Sequence, residues 1–201
     1  MNNKTDEGEK LSVDALRAGD KNEIARMIER FLDPIYRLSL RMMGTPQDAE
    51  DITQETFIKA MKALPSFEGR SSLSTWLFRI AVNEALMVLR RKQPDFVYID
   101  EDHDDDSGIQ EPVQIKDWCC LPEGEMLSSE SREHLDMAIS RLSPNLKSVF
   151  ILRDIHGFSI QETAEMLQLS EVNVKTRLLR ARLKLREDLS GYFGERMSKV
   201  V

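Results

Sequence analysis

Apolar residues return every three or four positions along most of this chain, and that period commits it to helices. Ile24, Met27, Ile28, Phe31, Ile35 and Leu38 are one such set, and no sustained alternation marks a half-buried strand. The expected fold is all-α, without a sheet. Leu11–Ala18 predicts a short helix stopped by Gly19, followed by a longer helix to Met43, ended by Gly44. Pro34 should bend or divide that helix, because proline lacks a backbone donor and clashes with the preceding turn. A third helix is expected from about Pro46 to Leu64, with Pro46 in the first turn and Pro65 blocking continuation. Ala49, Ile52, Thr56, Ala60 and Ala63 line one side of it, while Asp48, Asp51, Gln54, Glu55, Lys59 and Lys62 keep the rest polar.

The next helix, expected over about Thr75–Lys92, has a different character. Apart from Arg79, Asn83 and Glu84, its residues from Trp76 to Leu89 are all apolar. A helix apolar nearly all round is either deep in a core or serves a second partner as well. These four helices should pack as one domain over residues 1–93. From 94 to 127 periodicity gives way to prolines and acids, which predicts a flexible acidic linker. Order should resume with a helix from Ser128 to about Leu142, then a helix opened by Ser143 as N-cap with Pro144 in its first turn. A second helical domain, 128–201, follows from these signals.

Its most informative stretch begins at Gly157. Ser159 and Glu162 make a capping box for a short helix whose Ala164 is small enough to admit a neighbour. Leu167 and Leu169 flank a turn, and Ser170 can cap a second helix with Val174, Leu178, Ala181 and Leu185 on its buried side. This is the spacing of a helix-turn-helix, whose second helix enters the DNA major groove. Gln168 is a departure, since this turn usually carries glycine; a left-handed backbone is harder for glutamine.

The net charge of −7 conceals an uneven distribution. Asp100, Glu101, Asp102, Asp104, Asp105 and Asp106 crowd the linker, whereas Lys175, Arg177, Arg180, Arg182, Lys184 and Arg186 face Glu171 alone within 170–186. A basic recognition helix inside an acidic chain suits phosphate binding at one place only. Neighbouring Cys119 and Cys120 close almost no loop and read as linker thiols. His103, His134 and His156 lie too far apart for zinc-ligand spacing, so neither metal nor cofactor is expected. No apolar run approaches the roughly 20 residues of a membrane span, and Met1–Leu11 lacks a signal-peptide core; the expected location is the cytoplasm. No phosphate-binding glycine loop and no nucleophile–base set argue for an enzyme.

Two blocks carry a family resemblance. Ala49-Glu-Asp-Ile-Thr-Gln-Glu-Thr-Phe-Ile-Lys-Ala, with Ser74-Thr-Trp-Leu-Phe-Arg-Ile-Ala-Val-Asn and Leu89-Arg-Arg-Lys, resembles region 2 of the extracytoplasmic-function sigma factors. Ser143-Pro-Asn-Leu-Lys-Ser-Val-Phe-Ile-Leu-Arg-Asp, with Gly157-Phe-Ser and Val174-Lys-Thr-Arg-Leu-Leu-Arg-Ala-Arg, resembles region 4. The resemblance implies an alternative sigma factor that binds core RNA polymerase, through its clamp coiled coil and flap, and directs promoter recognition. It implies core binding by Asp51, Gln54 and Glu55. It implies minus-10 contacts by Phe67, Ser71, Trp76, Arg79 and Asn83, although Phe67 and Trp76 are equally suited to filling a core. Lys175, Thr176, Leu179 and Arg180 match the positions that read the minus-35 element. Arg90, Arg91 and Lys92 would grip phosphates, and Arg177 and Arg182 would serve phosphates or internal packing. The resemblance further implies an anti-sigma partner. The competing reading is a conventional helix-turn-helix regulator binding an operator as a dimer, which leaves the apolar Thr75–Lys92 helix unexplained.

Overall fold

The computed structural model describes residues 11–92 and 129–198. The expected acidic linker with Cys119 and Cys120, and the first ten residues, lie outside them. Every regular element within the described residues is helical.

The first bundle comprises α1 (Val13–Arg17), α2 (Lys21–Met43), α3 (Pro46–Ala63) and α4 (Leu73–Lys92). Each start has a local cause. Ser12 Oγ accepts from the Ala15 amide, Asp20 accepts from the amides of Asn22 and Glu23, and Ser72 Oγ accepts from the Thr75 amide at 3.0 Å. Because Ser72 supplies that bond, α4 starts two residues earlier than the periodicity predicts. Gly44, at φ 79°, ends α2 in the left-handed conformation that a side chain would penalise. Pro34 does not divide α2, which runs unbroken past it. One backbone bond is forgone there, and buried Phe31, Ile35 and Leu38 on either side hold the helix in place.

The second bundle comprises α5 (Ser129–Ser140), α6 (Pro144–Phe150), α7 (Ile160–Leu167) and α8 (Glu171–Ser198). After α6 the chain widens into a π-type turn, Ile151–Ile155, where the His156 amide reaches back five residues to the Ile151 carbonyl at 3.0 Å. The expected capping box is present: Ser159 Oγ accepts from the Glu162 amide at 3.1 Å, and Glu162 Oε2 accepts from the Ser159 amide at 2.8 Å. Gln168 sits at φ 56°, ψ 43°, the left-handed turn expected of this motif, here without glycine. Ser170 Oγ then accepts from the Asn173 amide at 3.1 Å and opens α8.

The two bundles do not keep separate cores. Ala138, Ile139, Leu142, Leu146, Ala181 and Leu185 form one small cluster of the second bundle, and Val149, Ala164, Val174 and Leu178 another. Its Ile151, Leu152 and Met166 instead join the apolar cluster that runs through the first bundle. Helix α4 packs on α2 and α3 with one side and on α7 and α6 with the other. That second contact accounts for its nearly all-round apolar character.

Candidate nucleic-acid interface

Helix α8 presents the sequence-expected reading face because its opposite face is sealed. Val174, Leu178, Ala181 and Leu185 are buried at helical spacing. This leaves Lys175 and Arg180 exposed and Thr176, Leu179 and Arg177 half-buried on the outside. Arg182 is spoken for within the protein. Its guanidinium donates twice to Asp154, at 2.8 and 2.9 Å, fastening α8 to the π-type turn. Sequence reasoning missed Val172, which is 68% exposed in the first turn of α8. Its position beside the Ser170 cap and outside the buried i, i+4 set was the available signal. An exposed methyl pair at the entering end of such a helix can contact a thymine methyl.

On the first bundle the expected single-strand residues fall into three environments. Asn83 is exposed, and Ser71 and Trp76 are half-buried. Phe67 is only 6% exposed, its ring 4.8 Å from that of Trp76 and its carbonyl accepting from Arg17 Nε. Here it is a floor beneath Trp76. Arg79 is ion-paired with Glu165 of α7. Arg90 and Arg91 are exposed at the end of α4, while Lys92 Nζ reaches Asp48 Oδ1 at 2.6 Å. That contact, with the Thr45 hydroxyl, holds the Asp48 carboxyl below the usual carboxylate range.

A third surface lies on α3. Asp51 and Gln54 are exposed, and Glu55 is half-buried, 3.6 Å from Lys59. Lys59 also reaches Glu84 of α4 at 2.6 Å, a contact that raises its pKa and ties α3 to α4. On the same helix Ile58 and Met61 are 40% and 42% exposed. They follow Gln54 at i+4 and i+7, so the polar residues singled out from the sequence border an open apolar strip.

Where the bundles meet, Phe78 of α4 is edge-on to His156 and Phe158, with ring centroids 4.8 and 4.9 Å away. Burial, then the cations Arg41 and Arg37, push the His156 pKa down to about 4. Glu162 accepts from Thr75 Oγ1 at 3.2 Å. Burial opposes its charge, but the hydrogen bonds from Ser159 and Thr75 outweigh that and keep its carboxyl below the usual range.

Residues 27–94 match the family described as Sigma-70 region 2, and residues 132–185 match Sigma-70, region 4. The ECF RNA polymerase sigma factor SigW of Bacillus subtilis is 34% identical over 180 residues, covering 90% of this chain and 96% of that protein. The chain belongs to the extracytoplasmic-function sigma factors. A second relative of this sigma factor, the RNA polymerase sigma-H factor of Pseudomonas aeruginosa, is 32% identical over 89% of the chain and 92% of its own length. The fold of the sigma factor is similar to that of RpoE from Bartonella quintana, solved in complex with the anti-sigma factor NepR. The TM-score is 0.62 at 25% identity, covering 84% of this chain and 98% of that one. Among the described residues no helix of the sigma factor is long and apolar enough to cross a membrane, and no three His, Cys, Asp or Glu side chains cluster as a metal would need.

Proposed function

We propose that this sigma factor carries core RNA polymerase to promoters by dividing labour among three surfaces, without chemistry of its own. The exposed strip of α3, Asp51, Gln54 and Glu55 bordered by Ile58 and Met61, docks on the clamp coiled coil. A mixed polar and apolar helix face of this kind suits a helical partner. The second bundle meets the flap and lays α8 in the minus-35 major groove, where Lys175, Thr176, Leu179 and Arg180, with Val172, read bases, and Arg177 binds phosphate. The first bundle holds the melted minus-10 strand with Ser71, Trp76, Arg79 and Asn83, over the floor that Phe67 makes, and Arg90 and Arg91 grip its phosphates. Residues 1–93 and 128–201 are the two functional domains and 94–127 the acidic linker, guided along basic channels of the polymerase. The setting is the cytoplasm, with an anti-sigma protein as the restraining partner; support comes from the solved relative RpoE, which is in complex with the anti-sigma factor NepR.

The observation that carries this reading is the sidedness of α8, cationic and open opposite a face with no exposed apolar residue at Val174, Leu178, Ala181 or Leu185. The test is transcription in vitro with added core enzyme on genomic fragments. Arg180→Ala and Asn83→Ala should each reduce initiation by roughly tenfold or more while core association in a pulldown is unchanged. Failure of the wild-type chain to bind core, or tight sequence-specific promoter binding without core, would overturn it.

A further inference from the structure

The loop from Phe67 to Ser72, which brings Phe67 and Ser71 to the start of α4, has little of its own to hold it. Its ion pair, Arg70 with Glu68 at 2.6 Å, is local and exposed, and such a pair contributes little. Gly69 takes a left-handed backbone, φ 73°, that side chains disfavour. The support comes from 50 positions away. Arg17, the last residue of α1, donates from Nε to the Phe67 carbonyl at 2.5 Å. Its Nη2 stands 4.0 Å from the place that a Cβ on Gly69 would occupy. One planar guanidinium therefore lies along both residues where the loop begins.

That guanidinium is itself held. A helix of 5 residues has too few backbone bonds to persist alone, so α1 depends on what it touches. Leu16 is buried in the first bundle's core. The Ser12 amide donates to Glu23 Oε1 at 2.6 Å and Arg26 donates to Glu23 Oε2 at 2.8 Å, so a buried carboxylate of α2 fixes the start of α1. Beyond α2, α1 packs on the turn Leu64–Ser66, directly before Phe67. We infer that Arg17 is a positioning residue for promoter recognition: it fixes the loop backbone, keeping Phe67 beneath Trp76 and presenting Ser71 to the unpaired strand, without touching DNA itself. The inference rests on the minus-10 assignment proposed above. A loop already in shape meets the strand without first being ordered. Held in one shape, it also rejects bases to which a looser loop would adapt.

The test uses the full chain with core enzyme, on a promoter mapped by transcription in vitro and on copies with single substitutions through its minus-10 element. The readout is open-complex formation on the mapped promoter relative to its substituted copies, followed by permanganate reactivity of unpaired thymines. A loss of folded protein, or of a phosphate contact, lowers both members of that ratio alike and leaves it unmoved. Arg17→Met keeps the apolar stem against the bundle and removes the donors; it should lower the ratio roughly three- to tenfold. Lys21→Met removes an exposed cation from the start of α2 and should leave the ratio unchanged. Gly69→Val forces a β-branched residue onto the left-handed position and should lower the same ratio, which decides the matter if circular dichroism shows Arg17→Met unfolded. An unmoved ratio in folded Arg17→Met, or in Gly69→Val, overturns the inference. If wild type itself does not distinguish the promoters, the minus-10 reading fails and takes the inference with it; if wild type and both variants distinguish them equally, the inference alone fails.

Discussion

Replacing Gln168 by glycine should stabilise the protein, although the residue is exposed on a turn. The backbone at Gln168 is left-handed, with φ 56° and ψ 43°. For a residue with a Cβ that conformation costs about 1–2 kcal/mol, and glycine avoids it. Glycine also frees the unfolded chain, which costs about 0.5–1 kcal/mol. The difference leaves a net gain of about 0.5–1 kcal/mol, since the exposed glutamine side chain gives up little packing. For a chain of this size that is a rise in Tm of about 1–4 °C. Denaturant unfolding followed by far-ultraviolet circular dichroism measures it, and Gln168→Ala is the control, because alanine keeps the Cβ and should bring no gain. The turn sets the angle between α7 and α8, so Gln168→Gly should leave promoter choice intact. If glycine proves no better than alanine, the penalty assigned to the left-handed glutamine is wrong.

Arg182→Ala should cost about 1 kcal/mol by releasing α8 from Asp154, and a double-mutant cycle with Asp154→Asn should attribute most of that loss to the pair. His156 is held neutral by a pKa near 4, below its unfolded value of 6.5, so the unfolded chain binds more protons between those limits. Stability should therefore be full above about pH 6.5 and fall by up to about 3 kcal/mol as pH drops towards 4; unfolding curves at a series of pH values should show a slope that His156→Gln flattens. Ile58→Glu should weaken core association in a pulldown about tenfold while thermal unfolding is nearly unchanged, because the side chain is half open in the free protein. A large loss of stability in that variant would place Ile58 in the core instead.

Local rules made much of this molecule legible. The capping box of Ser159 and Glu162, the Ser170 cap and the buried set Val174, Leu178, Ala181 and Leu185 are each determined by residues a few positions apart, and they stand where the spacing places them. The excess of apolar residues on α4 left a deep core position and a second partner both open, and the structure packs the helix between α2 and α3 on its own bundle and α6 and α7 of the other. Arg79 and Glu165 are 86 positions apart, and a pairing across that distance leaves no periodic trace. The same limit explains Pro34. Its local cost was readable, whereas the burial of Phe31, Ile35 and Leu38 that carries α2 past it is a tertiary effect. Phe67 shows the converse case: an aromatic in a loop suits both a base and a core, and its 6% exposure, with its ring 4.8 Å from that of Trp76, is a tertiary result that its neighbours in sequence do not encode.

The wide turn at Ile151–Ile155 also sets a counting constraint. One residue removed there would let an ordinary helix run on and swing everything downstream by about 100° around its axis. Helix α7 would survive, capped as before, yet Glu165 would point to a different quarter of the compass from Arg79. A sibling chain with matching helices but a shorter segment at this place could keep each helix intact and have lost the register that brings α7 to α4.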